Sequence, residues 1–280
     1  MFDLTLRQRH YLERVTTYGL VIGMTVLLMI PMVWGVLSSV RPSQELFSWP
    51  PQLIPSNITL DNYRLLLETT EFTQYFVNSL VVAVLAMVFT LSIATPAAYA
   101  VTRYEFKGRQ YVTNLSTIIY MFPLVLLGIP LFVIFSQLGL TNSRLGLALT
   151  HTAFALPFAL MLLRVFFNDI SPAIVESARL VGAGRITIIR KIILPLSLPG
   201  IVATVIFVMA LSWKEYFFAL LLMNKNALST LPIGIASLIG MSTTNWGLIL
   251  GGVMIMSLPP MVLIFFLYDY LLEGFAVSTL

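Results

Sequence analysis

Side chains able to take part in chemistry fall in three places along this otherwise apolar chain. Between Arg164 and Lys191 lie Arg164, Asp169, Glu176, Arg179, Arg185, Arg190 and Lys191. Farther on, Trp213-Lys214-Glu215-Tyr216 sets two opposite charges in apolar surroundings, and His151 stands between Thr150 and Thr152 in another apolar stretch. A charge at the centre of a bilayer costs roughly 2.5–3.5 kcal/mol, so the seven charges of the first group, on the order of 20 kcal/mol together, keep that segment in water. Lys214 and Glu215 are adjacent and point about 100° apart on a helix, so they cannot share a face. At least one of them is expected to face an internal cavity. Glu215 is the better candidate because a short carboxylate snorkels poorly, whereas Lys214 could reach outward as a lipid-facing anchor. His151 can serve as a proton relay or as a hydrogen-bonded link between helices. Asn78, with Ser79, Thr90, Thr95 and Tyr99, either lines a path through the membrane or binds neighbouring backbone.

Several chemistries are excluded by what is missing. Gly182-Ala183-Gly184-Arg185 lacks the lysine and hydroxyl of G-x-x-x-x-G-K-[ST], so no ATP hydrolysis is expected of this chain. No His, Cys and Asp cluster offers metal ligands, and no cysteine is present at all. There is no G-x-S-x-G, and no serine is expected to pair with a histidine within the membrane, which argues against an intramembrane hydrolase. The chain is read as a non-enzyme.

The elements that hold these side chains follow from composition and punctuation. The 280 residues are 58% hydrophobic and 10% charged, with a mean hydropathy of +0.92, far outside the range of a soluble domain. Apolar runs long enough to cross a bilayer predict spans at 15–40, 72–102, 110–143, 145–163, 198–223 and 247–268, charge-free except for Lys214 and Glu215 in the fifth. Pro31 is expected to kink the first. On this reading Lys214 lies roughly 24 Å along the fifth span. A polar loop at 41–72, with a short helix near 62–67, and a second loop at 224–246 face outward. The remaining connections carry Arg7, Arg9, Arg14, Arg103, Lys107, Arg109, Arg164, Arg179, Arg185, Arg190 and Lys191, against Arg41, Arg64, Arg144, Lys214 and Lys225 on the other side or within the membrane. That asymmetry places both termini in the cytoplasm. The net charge of +4 suits anionic lipid and calls for no nucleic-acid partner.

Within the charged interruption, Ser171-Pro172 reads as a helix start and Gly182-Ala183-Gly184 as its stop. The helix over 172–181 would gather Ile174, Ala178 and Val181 on one face, with Ser177 beside them. A second amphipathic piece, 186–193, is expected to break at Leu194-Pro195. The product is a helix–turn–helix knob at the membrane surface. By residues alone it could equally be an ordinary interfacial helix.

Glu176-Ser177-Ala178, followed at fixed spacing by Gly182, Ile192 and Leu194-Pro195, resembles the EAA signature of permease subunits in ABC-type importers; Ser177 stands where alanine is usual. Trp213 to Leu222 resembles the W-x-E-[FY]-x-F-A-L-x-L run of sugar-importer permeases of the MalG type, with trehalose importers the subgroup suggested. The resemblance implies an all-α integral membrane fold of six transmembrane helices, the type I ABC importer permease fold. A five-helix core at 73–270 would follow a cytoplasmic N-terminus and first helix at 1–40 and an extracytoplasmic loop at 41–72. The coupling loop would be 168–196, and 271–280 a cytoplasmic tail. The resemblance further implies that Glu176, Ser177, Ala178, Gly182, Ile192, Leu194 and Pro195 meet a separate ATPase that binds ATP and Mg²⁺, this chain holding no cofactor. Partners would be a second homologous permease, two ATPase subunits, an extracytoplasmic sugar-binding protein and membrane lipid. Trp213, Lys214, Glu215, Tyr216, Asn78 and His151 would belong to the substrate path or gate. Import of a non-sugar solute, or a homodimeric secondary carrier or channel, are the alternatives.

Overall fold

The computed structural model describes residues 6–50, 52–240 and 244–277, and among these every regular element is helical. Four helices are long and apolar enough to cross a membrane: α1 (Leu6–Ser39), α3 (Phe72–Arg103), α6 (Arg144–Asp169) and α13 (Trp246–Val277). Two bent pairs bring the number to six if each is one span. The first pair is α4 (Arg109–Met121) with a 3₁₀ turn running into α5 (Gly128–Gln137); the second is 185–196 with α10 (Leu198–Trp213). Shorter helices complete the order: α2 (Asp61–Thr69), α7 (Pro172–Leu180), α8 (Arg185–Ile188), α9 (Leu194–Leu196), α11 (Phe217–Leu222) and α12 (Leu231–Ser237). The chain divides into two compact units, residues up to Thr70 with Leu238–Ile255, and Glu71–Ser237 with the rest of α13.

In the first unit α1 leaves nearly all of its described apolar side chains exposed. Its end is fixed by Asn62 on α2, buried, whose Nδ2 donates to the Ser39 and Arg41 carbonyls at 2.9 and 2.7 Å. Helix ends leave carbonyls without intrahelical partners, and here a side chain supplies the donor. The short helix expected near 62–67 is α2, one residue longer at its start and two at its end.

The second unit is built on three stripes of mostly small residues repeating every third or fourth position. Ala86, Thr90, Ala94 and Ala98 on α3, Ala148, Thr152, Ala155 and Ala159 on α6, and Gly200, Thr204, Val208 and Ser212 on α10 are all buried. Lipid is as apolar as leucine, so nothing drives leucines out of it. Helices in a bilayer associate instead where small side chains let backbones approach. A Cβ added at Gly200 would collide with the Phe166 ring, and overpacking of this kind costs about 1–3 kcal/mol. Gly200→Val is therefore expected to lower the thermal midpoint of the purified protein, and Phe166→Ala on the same chain to restore part of the loss. An unchanged midpoint for Gly200→Val would show that the α6–α10 contact yields easily.

Three expectations are corrected. The third span is not one helix over 110–143: α4 and the segment Leu124–Gln137 meet at 95°. The break falls at Phe122-Pro123, where proline has no N–H and disfavours helical geometry in the residue before it. The fifth span does not run unbroken to Met223: α10 ends at Trp213 and α11 begins at Phe217. Leu194-Pro195 is not a break. A π-helical turn at Ile189–Ile193 leads directly into α9, and the 80° bend comes at Ser197. The wider turn ends just before the proline, where an ordinary ladder would be interrupted for want of its N–H.

Candidate functional site

The knob starts at Pro172, whose fixed φ suits a first helical position. Its end is a Schellman motif: the Ala183 N–H donates to the Ala178 carbonyl and the Gly182 N–H to the Arg179 carbonyl, both at 3.0 Å, with Gly182 at φ +83°. Ala178 and Ala183, at the two positions whose apolar contact often accompanies this motif, both pack on the core beneath.

The inward face is not the one expected. Val175 is the buried residue, seated with Phe167, Ile170, Ile188 and Ile193, while Ile174 and Val181 are exposed. Only Ala178 of the expected trio packs inward. Leu180 and Val181 at the tip are 88% and 85% exposed, and Glu176 and Ser177 also face outward. Glu176 has no hydrogen-bond or ion-pair partner among the described residues and does not cap the knob's own backbone. Of the remaining signature residues, Ile192 and Leu194 are half-buried and Pro195 exposed.

Residues outside the signature hold the knob in place. One Arg103 terminal nitrogen donates to the Phe167 and Ile170 carbonyls at the end of α6, at 2.8 and 2.5 Å. The Arg179 and Arg185 guanidinium carbons lie 6.0 and 5.4 Å from the Tyr104 ring centre, within cation–π reach. In the sequence Arg103 counted only as a basic loop residue. Its place directly after a long apolar run was the available signal, since arginines at helix ends bind carbonyls.

The second group assembles around the break in the fifth span. The Glu215 carboxylate accepts the Phe218 and Ala219 N–H groups at 2.8 and 3.0 Å, capping α11. The same carboxylate lies 3.3 Å from His151 Nε2 on α6, and His151 Nδ1 lies 2.7 Å from Ser212 Oγ on α10. This corrects the expectation that no serine and histidine pair. The serine, histidine and acid follow one another as in a nucleophilic relay. However, His151 is 1% and Ser212 6% exposed, and the carboxylate is occupied by helix N–H groups, so what the network can do is hold three helices in register.

The other candidates separate. Lys214 and Tyr216 are exposed, whereas Trp213 is buried, donates from Nε1 to the Met256 carbonyl at 2.8 Å and meets the edge of Phe76. Asn78 is fully buried, and its Nδ2 donates to the Ala227 and Ser229 carbonyls at 3.0 and 2.8 Å. Ser79 Oγ accepts the Leu231 N–H at 2.7 Å, at the start of α12. Both therefore bind the backbone of the 224–246 loop, of which residues 241–243 lie outside the described residues.

Residues 91–276 match the family described as binding-protein-dependent transport system inner membrane component. The trehalose transport system permease protein SugB of Mycobacterium tuberculosis is 32% identical over 257 residues, covering 91% of this chain and 92% of that protein. The trehalose/maltose transport system permease protein MalG of Thermococcus litoralis is 32% identical over 267 residues, covering 93% and 95%. Among solved structures, a bacterial ABC transporter involved in the import of the acidic polysaccharide alginate superposes with a TM-score of 0.80 at 20% identity, over 96% of this chain and 99% of that one. At that identity the likeness is one of fold.

Proposed function

Because the chain belongs to the binding-protein-dependent transport system inner membrane component family, we propose that it is the permease subunit of an ATP-driven importer that carries a di- or oligosaccharide, trehalose foremost, across the cytoplasmic membrane. The observation that carries the reading is the knob: a short helix fixed by Val175, Arg103 and the Schellman turn, yet presenting Leu180, Val181 and an unpartnered Glu176 to the outside. A rigid base under an exposed apolar tip suits a protein partner that is absent from this chain.

The partner is a separate ATPase, present in two copies, that holds ATP and Mg²⁺; Glu176, Ser177, Ala178 and Gly182 form the contact, and the segment through Ile192, Leu194 and Pro195 carries its motion to the bundle. A second homologous permease completes the path, an extracytoplasmic binding protein delivers the sugar, and both termini are cytoplasmic. The choice of sugar rests on the names of the two relatives above. Tagged protein drawn from its native membrane is expected to bring down a Walker-motif ATPase and a second permease, and the assembled complex in vesicles to accumulate labelled trehalose only when ATP and the binding protein are supplied. Recovery of the chain alone or as a homodimer, active without ATP, would replace this reading with a secondary carrier.

A further inference from the structure

Two adjoining cavities lie along α4 and α6. The first, about 670 Å³, is lined by Arg109, Gln110, Tyr111, Asn114 and Arg164 among others. No acidic side chain lines it. Neither guanidinium has an ion-pair or side-chain hydrogen-bond partner among the described residues, and the Arg164 Nε is shut off from solvent with nothing to donate to. Two unneutralised arginines facing one hollow repel each other and leave a buried donor unsatisfied, and an anion relieves both costs.

The second cavity, about 510 Å³, shares Thr113 and Arg164 with the first and continues between the same two helices over Thr117, Phe158, Met161, Leu162 and Val165. Its floor is firm: the Phe158 ring stacks on Phe207 at 3.9 Å and on Tyr120 at 5.4 Å. The surface thus changes from paired guanidinium groups and amides to an apolar furrow within one continuous groove. A free phosphate would use only the first part, and a neutral lipid only the second.

We propose that this groove binds one anionic phospholipid, its phosphate-bearing headgroup between Arg109 and Arg164 and an acyl chain along Thr117, Phe158, Met161 and Val165. Guanidinium groups give paired, directional bonds to phosphate oxygens, and basic hollows between membrane helices are suited to such headgroups. Because α4 and the segment from Leu124 meet at a bend, the lipid would brace α4 against α6.

Native mass spectrometry of the full-length protein, delipidated in detergent and then titrated with dioleoyl phosphatidylglycerol or dioleoyl phosphatidylcholine, tests the assignment. One phosphatidylglycerol per chain is expected to persist at concentrations where phosphatidylcholine is lost, and excess inorganic phosphate is expected not to displace it. Arg109→Gln with Arg164→Gln should weaken retention tenfold or more. Arg109→Gln alone gives a milder variant should the double substitution fold poorly, and Lys107→Gln, which removes the same single charge from an exposed neighbour outside the cavity, should leave retention unchanged. Equal retention of the two lipids, displacement by phosphate alone, or undiminished binding in both arginine variants would overturn the proposal.

Discussion

Reversing the charge at Glu176 is expected to lower ATP-driven uptake tenfold or more while leaving the thermal unfolding of this chain where it was. Within the chain Glu176 is exposed and touches nothing that its carboxylate holds, so Glu176→Lys removes no internal contact. Any loss of transport must then arise at a surface supplied by another subunit, where a misplaced charge is costly; tenfold corresponds to only about 1.4 kcal/mol. Gly182→Val reaches the same contact by another route. At φ +83° nothing crowds a side chain there, but the left-handed conformation itself costs an L-residue roughly 1–2 kcal/mol. Unwinding the Schellman turn would carry Leu180 and Val181 away from their positions. The measurement is uptake in vesicles normalised to assembled complex, beside pull-down of the ATPase. If the knob were only an interfacial helix, Glu176→Lys would be harmless, and Arg190 with Lys191 would matter most. Wild-type uptake for both Glu176→Lys and Gly182→Val would remove the coupling assignment.

The second large effect is expected at Glu215. Glu215→Ala withdraws the acceptor from the Phe218 and Ala219 N–H groups and strips His151 of one ring partner. Hydrogen bonds to charged groups contribute about 1.5–3 kcal/mol each, and donors left unpaired in apolar surroundings add their own penalty. Destabilisation on the order of 3 kcal/mol or more should appear as an early unfolding step. Glu215→Gln keeps one carbonyl acceptor and should fall between. Lys214→Ala, on an exposed neighbour, should be nearly silent. The double variant with His151→Ala is expected to lose less than the sum of the two, since the partners share one network. A Glu215→Ala protein as stable as the wild type would show that the break is held by packing alone.

The long helices were legible because a bilayer-length apolar run admits few other structures, and the knob because charges, proline and glycines mark its limits. The break at Lys214–Tyr216 was not. A glutamate in an apolar run reads as a charge seeking a cavity, and whether it instead caps the N–H groups three and four residues on depends on the chain being broken already. The rotation of the knob was equally hidden. Ile174 and Val175 are neighbours of similar apolarity, and which of them turns inward is decided by Phe167, Ile188 and Ile193, contacts that no local pattern contains. The 95° bend was signalled in part by Phe122-Pro123, but proline permits a bend without setting its angle.

The cluster beneath the knob joins Ala94, Ala98 and Tyr99 at the end of α3 with Ala159, Leu163 and Phe167 at the end of α6 and with Val175, Ile188 and Ile193 of the knob itself. A close-packed interior of this kind is nearly incompressible and relays displacement instead of absorbing it. On the function proposed above, the knob would be the short arm of a lever whose long arms are α3 and α6. A push of an ångström or two at Leu180 would then tilt both helices and move their far ends by more than the input, with little lost in the packed joint. The stripes of small residues let the helix backbones approach, while Phe166 against Gly200 and Phe158 against Phe207 key α6 to α10, so that a tilt of α6 would carry α10 with it.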